Sequence, residues 1–85
     1  MKAEKLRKKI RKYVASEVLT LISNPSYLAH MVNMYGPEYV YNMEMILLVG
    51  EVLSAYVVPA ELEGYVYRTA QGYAPLIRAA INKAR

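Results

Sequence analysis

Between Lys12 and Arg68 the chain has no basic residue, and this 55-residue interval constrains the fold more than any other feature. Its only charges are six glutamates: Glu17, Glu38, Glu44, Glu51, Glu61 and Glu63. So few charges, all of one sign, cannot solvate the outside of a monomer, whose surface normally mixes both signs. Much of the central body must therefore be covered, and neighbouring copies or lipid are the two candidates.

The bases stand at the two ends. Residues 1–12 hold seven Lys or Arg against Glu4, and residues 68–85 hold Arg68, Arg78, Lys83 and Arg85 with no acid. At 85 residues the chain is one domain, 1–85, with a basic N-terminal arm at 1–12. It has no Cys, so it holds neither a disulfide nor a thiolate metal site. No repeat, low-complexity linker or secretory signal stands out, because Glu17 and Asn24 interrupt the apolar stretch that follows the arm.

Proline and glycine divide the chain into helical segments. Leu6, Ile10, Val14, Val18 and Leu21 recur at three to four residues, which predicts an amphipathic helix over about 3–23. Asn24-Pro25 reads as an N-cap with Pro at the first helical position, opening a short helix that stops at Gly36. Pro37-Glu38 restarts the chain with an acid where the helix dipole favours it. The segment from there to Val58 has no turn signal and reads as the second long helix, 37–58. Shorter helices follow, with a short hairpin near 65–69 as the alternative for "YVYRT".

The expected fold is all-α: an antiparallel hairpin of two long helices, each about 31–33 Å long, with shorter connecting and C-terminal helices. That topology returns the chain to its starting end. It places the C-terminal bases beside the arm, gathering the positive charge at one pole.

Lys5, Lys9 and Lys12 share one helical face, and Lys2, Arg7, Lys8 and Arg11 spread around the others. All-round charge suits phosphate neutralisation, which needs reach and number and no base-reading geometry. A solvated helix end and a juxtamembrane segment attracted to anionic lipid are the competing readings. A sequence-specific helix-turn-helix over 25–58 is not expected, because its recognition helix would contain no Lys or Arg.

Residues 45–49 and 52–58 are apolar around the whole helix, which predicts complete burial. Glu44 and Glu51 interrupt a membrane span, yet a two-helix hairpin with both basic ends cytoplasmic would satisfy the positive-inside rule. The two acids fall on one helical stripe. No nucleophile, metal-ligand cluster or phosphate loop accompanies them, so neither an enzyme nor a metal site is expected. Hydrogen bonds to Tyr, or a base from a neighbouring subunit, are their expected partners. The lone His30 reads as a core or interface residue.

Nine Tyr without Phe or Trp suit protein–protein contacts. Asn24-Pro25-Ser26 is not a glycosylation acceptor, since Pro fills the middle position. The absence of Asp and Cys hints at a thermophile, a hint that five Met and four Asn weaken.

In size and layout the chain resembles the small all-helical major coat proteins of rod-shaped viruses of hyperthermophilic archaea, the clavavirus type being nearest. The resemblance rests on basic "KAEKLRKKIRK", apolar "MEMILLVGEVLSAYVV" and basic-tailed "PLIRAAINKAR". It implies many copies in a helical array enclosing double-stranded DNA in a virion, with no cofactor. Under that reading the phosphate contacts are Lys2, Lys5, Arg7, Lys8, Lys9, Arg11 and Lys12. Arg78, Lys83 and Arg85 form a second set, and Arg68 is unassigned. Leu47, Leu48, Val52, Leu53 and Tyr56 carry core and subunit packing. A membrane-inserted hairpin and a soluble oligomeric interaction module are the alternatives.

Overall fold

The computed structural model describes the backbone of residues 2–85 and the side chains from Ala3 onward. It is all-helical, with no strand among the described residues: α1 (Lys2–Ile22), α2 (Pro25–Tyr35), α3 (Pro37–Ala55), α4 (Ala60–Gly72) and α5 (Ala74–Ala84). The molecule is a rod of 44 × 19 × 19 Å.

The breaks fall where the local chemistry puts them. Asn24 caps α2, its Oδ1 accepting from the Tyr27 amide at 3.3 Å, and Pro25 supplies the first turn without needing a donor. Gly36 closes α2 and opens α3 at φ 86°, ψ 155°, a left-handed conformation that side-chain-bearing residues avoid. α3 ends at Ala55, three residues short of the expected Val58. Tyr56 is extended, at φ −129° and ψ 150°, and Pro59 pushes Val58 out of the helical region. The extended Tyr56 meets Tyr13 edge-on, ring centroids 5.7 Å apart.

The hairpin alternative at 65–69 is overturned. Leu62, Val66 and Ala70 recur every four residues and are buried, so helical periodicity outweighs the strand propensity of "YVYRT". The Thr69 hydroxyl donates to the Tyr65 carbonyl four residues back, at 2.7 Å.

The core collects Ile10, Val14 and Val18 from α1, Val40, Leu48 and Val52 from α3, Val66 and Ala70 from α4, and Ile77 and Ile81 from α5. Each buried Val, Leu or Ile contributes roughly 1.5–3 kcal/mol. Complete burial of α3 is not found. One side fills the core, while Ile46 is 72% exposed, Leu47 46% and Leu53 36%. The helix is apolar all round, and the subunit buries only one of its faces.

The expected single positive pole is also overturned. Arg7 and Arg11 meet Tyr65 midway along α4, whereas Lys83 lines a groove with Ile22 and Pro25, and Arg85 lines one with Pro37 and Glu38. Ile22 is about 15–25 Å along α1 from Lys5–Lys12 at 1.5 Å per residue. The expected hairpin ends at Pro59. The 13 residues of α4 carry the chain about 20 Å onward before α5 begins, so α5 arrives at the far end.

Candidate nucleic-acid interface

The arm divides its bases between two tasks. The Glu4 carboxylate pairs with Arg7 Nη1 at 3.4 Å and Arg11 Nη2 at 3.7 Å. Arg11 Nη1 also donates to the Tyr65 hydroxyl at 2.8 Å, which raises the arginine's pKa above its ordinary value. The Arg7 guanidinium stands 5.9 Å from the Tyr65 ring centroid. These two arginines tie α1 to α4.

Lys5, Lys8, Lys9 and Lys12 are exposed and make no ion pair among the described residues. Their spacing of three, four and seven residues puts all four on one stripe of α1, opposite the buried Ile10 and Val14. The expected all-round distribution therefore becomes a directed one. Lys8 joins the stripe, and the two arginines reach sideways to Tyr65 of α4. The stripe spans about 10 Å, a stretch over which each DNA strand presents roughly three phosphates. Lys2 carries a side chain outside the described residues.

The second set does not join the first. Arg78 is engaged, its Nη1 3.3 Å from Glu38 Oε1 and its guanidinium 3.7 Å from the Tyr41 ring centroid. Lys83 and Arg85 are exposed at the far end of the rod. Arg68 folds back over Gly64, where a Cβ would lie 3.1 Å from its Nη1.

Of the residues expected to pack subunits, Leu48 and Val52 are buried in the protein's own core, and Tyr56 is half-buried against Tyr13. Only Leu47 and Leu53 keep a free surface. Ile46 and Val57, expected to be buried, are exposed, Val57 at 96%, and Leu19, Tyr67 and Leu76 are also at least half exposed, Leu19 and Leu76 without any signal in the sequence analysis. A readable signal exists for α3. Tyr39, Met43, Ile46, Gly50 and Leu53 alternate spacings of four and three, a heptad stripe opposite the core stripe of Val40, Met45, Leu48 and Val52.

Glu17, Glu44 and Glu51 line a cavity of about 270 Å³ between α1, α2 and α3, with Asn24, Tyr27 and Leu47. Glu44 is 9% exposed and accepts from the Tyr27 hydroxyl at 2.7 Å, the expected tyrosine partner. Glu51 instead meets another acid. Burial, then the charge and hydrogen bond of Glu17, then the charge of Glu44 raise its pKa above the ordinary carboxylate value. No described group of three His, Cys, Asp or Glu could hold a metal ion. His30 is exposed on α2.

Among the described residues no helix is long and apolar enough to cross a membrane. The membrane-hairpin alternative thus lacks a helical span, as Glu44 and Glu51 within α3 foreshadow. No protein-family model, no curated protein and no solved structure matches the chain.

Proposed function

We propose that the protein is a structural subunit that assembles in many copies around double-stranded DNA, as the coat of a rod-shaped virion, gripping phosphate without reading sequence. The observation that carries this reading is the Lys5–Lys8–Lys9–Lys12 stripe. Four unpaired ammonium groups point away from the core, on the side of α1 that no other element needs. Their flexible stems and point charges suit a repeating polyanion. Contacts of this kind to phosphate carry no sequence information.

The repeating unit in this reading is an antiparallel pairing of α1 with α3. It is supported by Tyr13 meeting Tyr56 while Glu17, one turn further along α1, meets Glu51, one turn back on α3. The outer face of α3 then supplies lateral contacts through Ile46, Leu47 and Leu53. Because the two basic ends lie at opposite poles, the arm alone faces the DNA. Arg78, Lys83 and Arg85 leave the set of phosphate contacts.

Mixing the protein with linear double-stranded DNA at low salt tests the reading, followed by electron microscopy and nuclease digestion. Ordered rods that protect the DNA are expected, and changing all four stripe lysines to Gln should abolish protection while leaving the fold helical. A small discrete oligomer that leaves DNA fully digestible would refute the coat reading in favour of a soluble interaction module.

A further inference from the structure

The outward side of α3 is a ridge of Tyr39, Met43, Ile46, Gly50 and Leu53, with Ile46 and Gly50 at its crest. These two line both the apolar groove beside α4, with Val49 and Tyr67, and the trough beside α1, with Tyr13 and Leu47. Nothing lies within 4 Å of a would-be Cβ at Gly50. The crest therefore has a notch one turn from Ile46, the ridge's most exposed side chain.

Knob and notch fit one another when two copies of α3 lie antiparallel. Centred on Leu48, that arrangement sets Ile46 of each copy over Gly50 of the other and Met43 over Leu53, so no layer is left empty. A parallel pair sets Gly50 on Gly50 and leaves a void, while Ile46 on Ile46 one turn away holds the helices apart. The ridge also carries no charge. Asn42, Leu47, Val49 and Ser54 flank it, Glu44 is buried, and Glu51 meets Glu17 on the α1 side. Flanking charges normally select a foreign partner, and here none does so and none repels a second copy. The exposed parts of Tyr39, Ile46, Leu47, Leu53 and Tyr67 come to roughly 500 Å² per copy, which for two copies reaches the area a specific contact needs.

The lysine stripes supply an independent argument. The two-fold axis of such a pair crosses α3 at Leu48; it reverses the helix but keeps both copies of α1 on one side of the contact. Tyr13 stands level with Tyr56, and Glu17 with Glu51. The middle of the Lys5–Lys12 stripe thus stands about twelve residues beyond Leu48, about 18 Å from the axis. The second copy doubles this to about 36 Å, one helical turn of B-DNA, so both stripes meet the same side of one duplex.

We infer that two copies of this chain pair antiparallel through their α3 ridges, with Ile46 of each seated over Gly50 of the other. The contact is isologous and closes at a dimer, which is then the unit that further contacts build into a coat. The pairing itself needs no DNA, and only the use of the stripe spacing rests on the coat reading.

The chain has no cysteine, so single cysteines report the register. Ile46→Cys and Gly50→Cys are oxidised separately and as an equal mixture, with helicity checked by circular dichroism. Residues at the same level of facing helices come within disulfide reach, with Cα atoms about 4.4–6.8 Å apart, and residues one turn out of step do not. The mixture is expected to give at least fivefold more covalent dimer than either variant alone. Covalent dimer from each variant alone, with no gain on mixing, would make the pair parallel and overturn the register. No covalent dimer in any sample would overturn the pairing, and DNA-protecting rods formed by the same samples would then spare the coat reading. A cross-linked mixture that leaves DNA digestible would uphold the pair and end the coat reading.

Discussion

The Tyr27 hydroxyl donates to Glu44 Oε2 at 2.7 Å, pinning the first turn of α2 against the middle of α3. Glu44 is the one acid buried among the described residues, so this bond decides whether its charge is tolerated. Tyr27→Phe should cost about 1.5 kcal/mol, because it removes a hydrogen bond to a charged group and leaves the carboxylate without its donor. Urea denaturation at pH 7 checks the value.

The same bond predicts alkaline behaviour. The hydrogen bond to Glu44, then burial, then the Glu44 charge push the Tyr27 pKa up to about 12. The native state therefore keeps a proton that the unfolded chain releases above about pH 10. This stabilisation is complete below pH 10 and is lost as the pH rises through about 12. Relative to wild type, Tyr27→Phe should narrow its stability deficit across that window. A deficit constant from pH 9 to pH 12 would show that the hydroxyl makes no such bond.

Glu51 predicts the opposite use of acid. Burial first, and Glu17 second, raise its pKa, so the folded chain binds this proton more tightly than the unfolded one. Its contribution is fully present below the ordinary carboxylate value and is lost as the pH rises through the folded one. Glu51→Gln should accordingly raise the urea midpoint at pH 7, and the gap from wild type should close as the pH falls to about 4. A midpoint lowered at pH 7 would mean that Glu51 has a favourable partner within the subunit.

How much of this was legible in the sequence depends on the range of the interaction. Asn24-Pro25, Gly36-Pro37 and Pro59 act on their immediate neighbours, and the helix boundaries they imply hold within three residues. At "YVYRT" β-branched and aromatic content misleads, because burial of Leu62, Val66 and Ala70 decides the matter from outside the segment. The position of Lys83 fails for a topological reason: it depends on one further helical run, whose 13 residues look short in sequence but carry the chain about 20 Å along a 44 Å rod. The candidate interface was half legible. Lys5, Lys9 and Lys12 are a stripe by spacing alone, but the removal of Arg7 and Arg11 from it requires Tyr65, 54 residues from Arg11.

Gly50 sits within α3 with nothing within 4 Å of the position an alanine methyl would take. Gly50→Ala should stabilise the isolated subunit by roughly 0.5–1 kcal/mol, since Gly loses the most backbone freedom in a helix. Gly50→Glu should leave the subunit folded yet sharply reduce self-association, because it sets a charge on the ridge between Ile46 and Leu53. Sedimentation and thermal unfolding, measured on the same samples, distinguish the two effects. Unchanged sedimentation of Gly50→Glu would remove the α3 ridge from the assembly.

Salt dependence separates the two basic ends. Each phosphate contact adds about 0.9 to the slope of log affinity against log salt, so Gln at Lys5, Lys8, Lys9 or Lys12 should lower the slope by about one apiece. Arg78→Gln should leave the slope unaltered, because Arg78 already serves Glu38 and Tyr41. Its cost should appear in stability, at about 0.5–1 kcal/mol for an exposed ion pair with a cation–π contact. Lys83→Gln should likewise spare the slope, since Lys83 stands at the far end of the rod. Titrating a fluorescent duplex at several salt concentrations measures all six variants. A slope that drops as much for Lys83→Gln as for Lys9→Gln would mean that both poles grip phosphate, and the single lysine stripe would no longer account for binding.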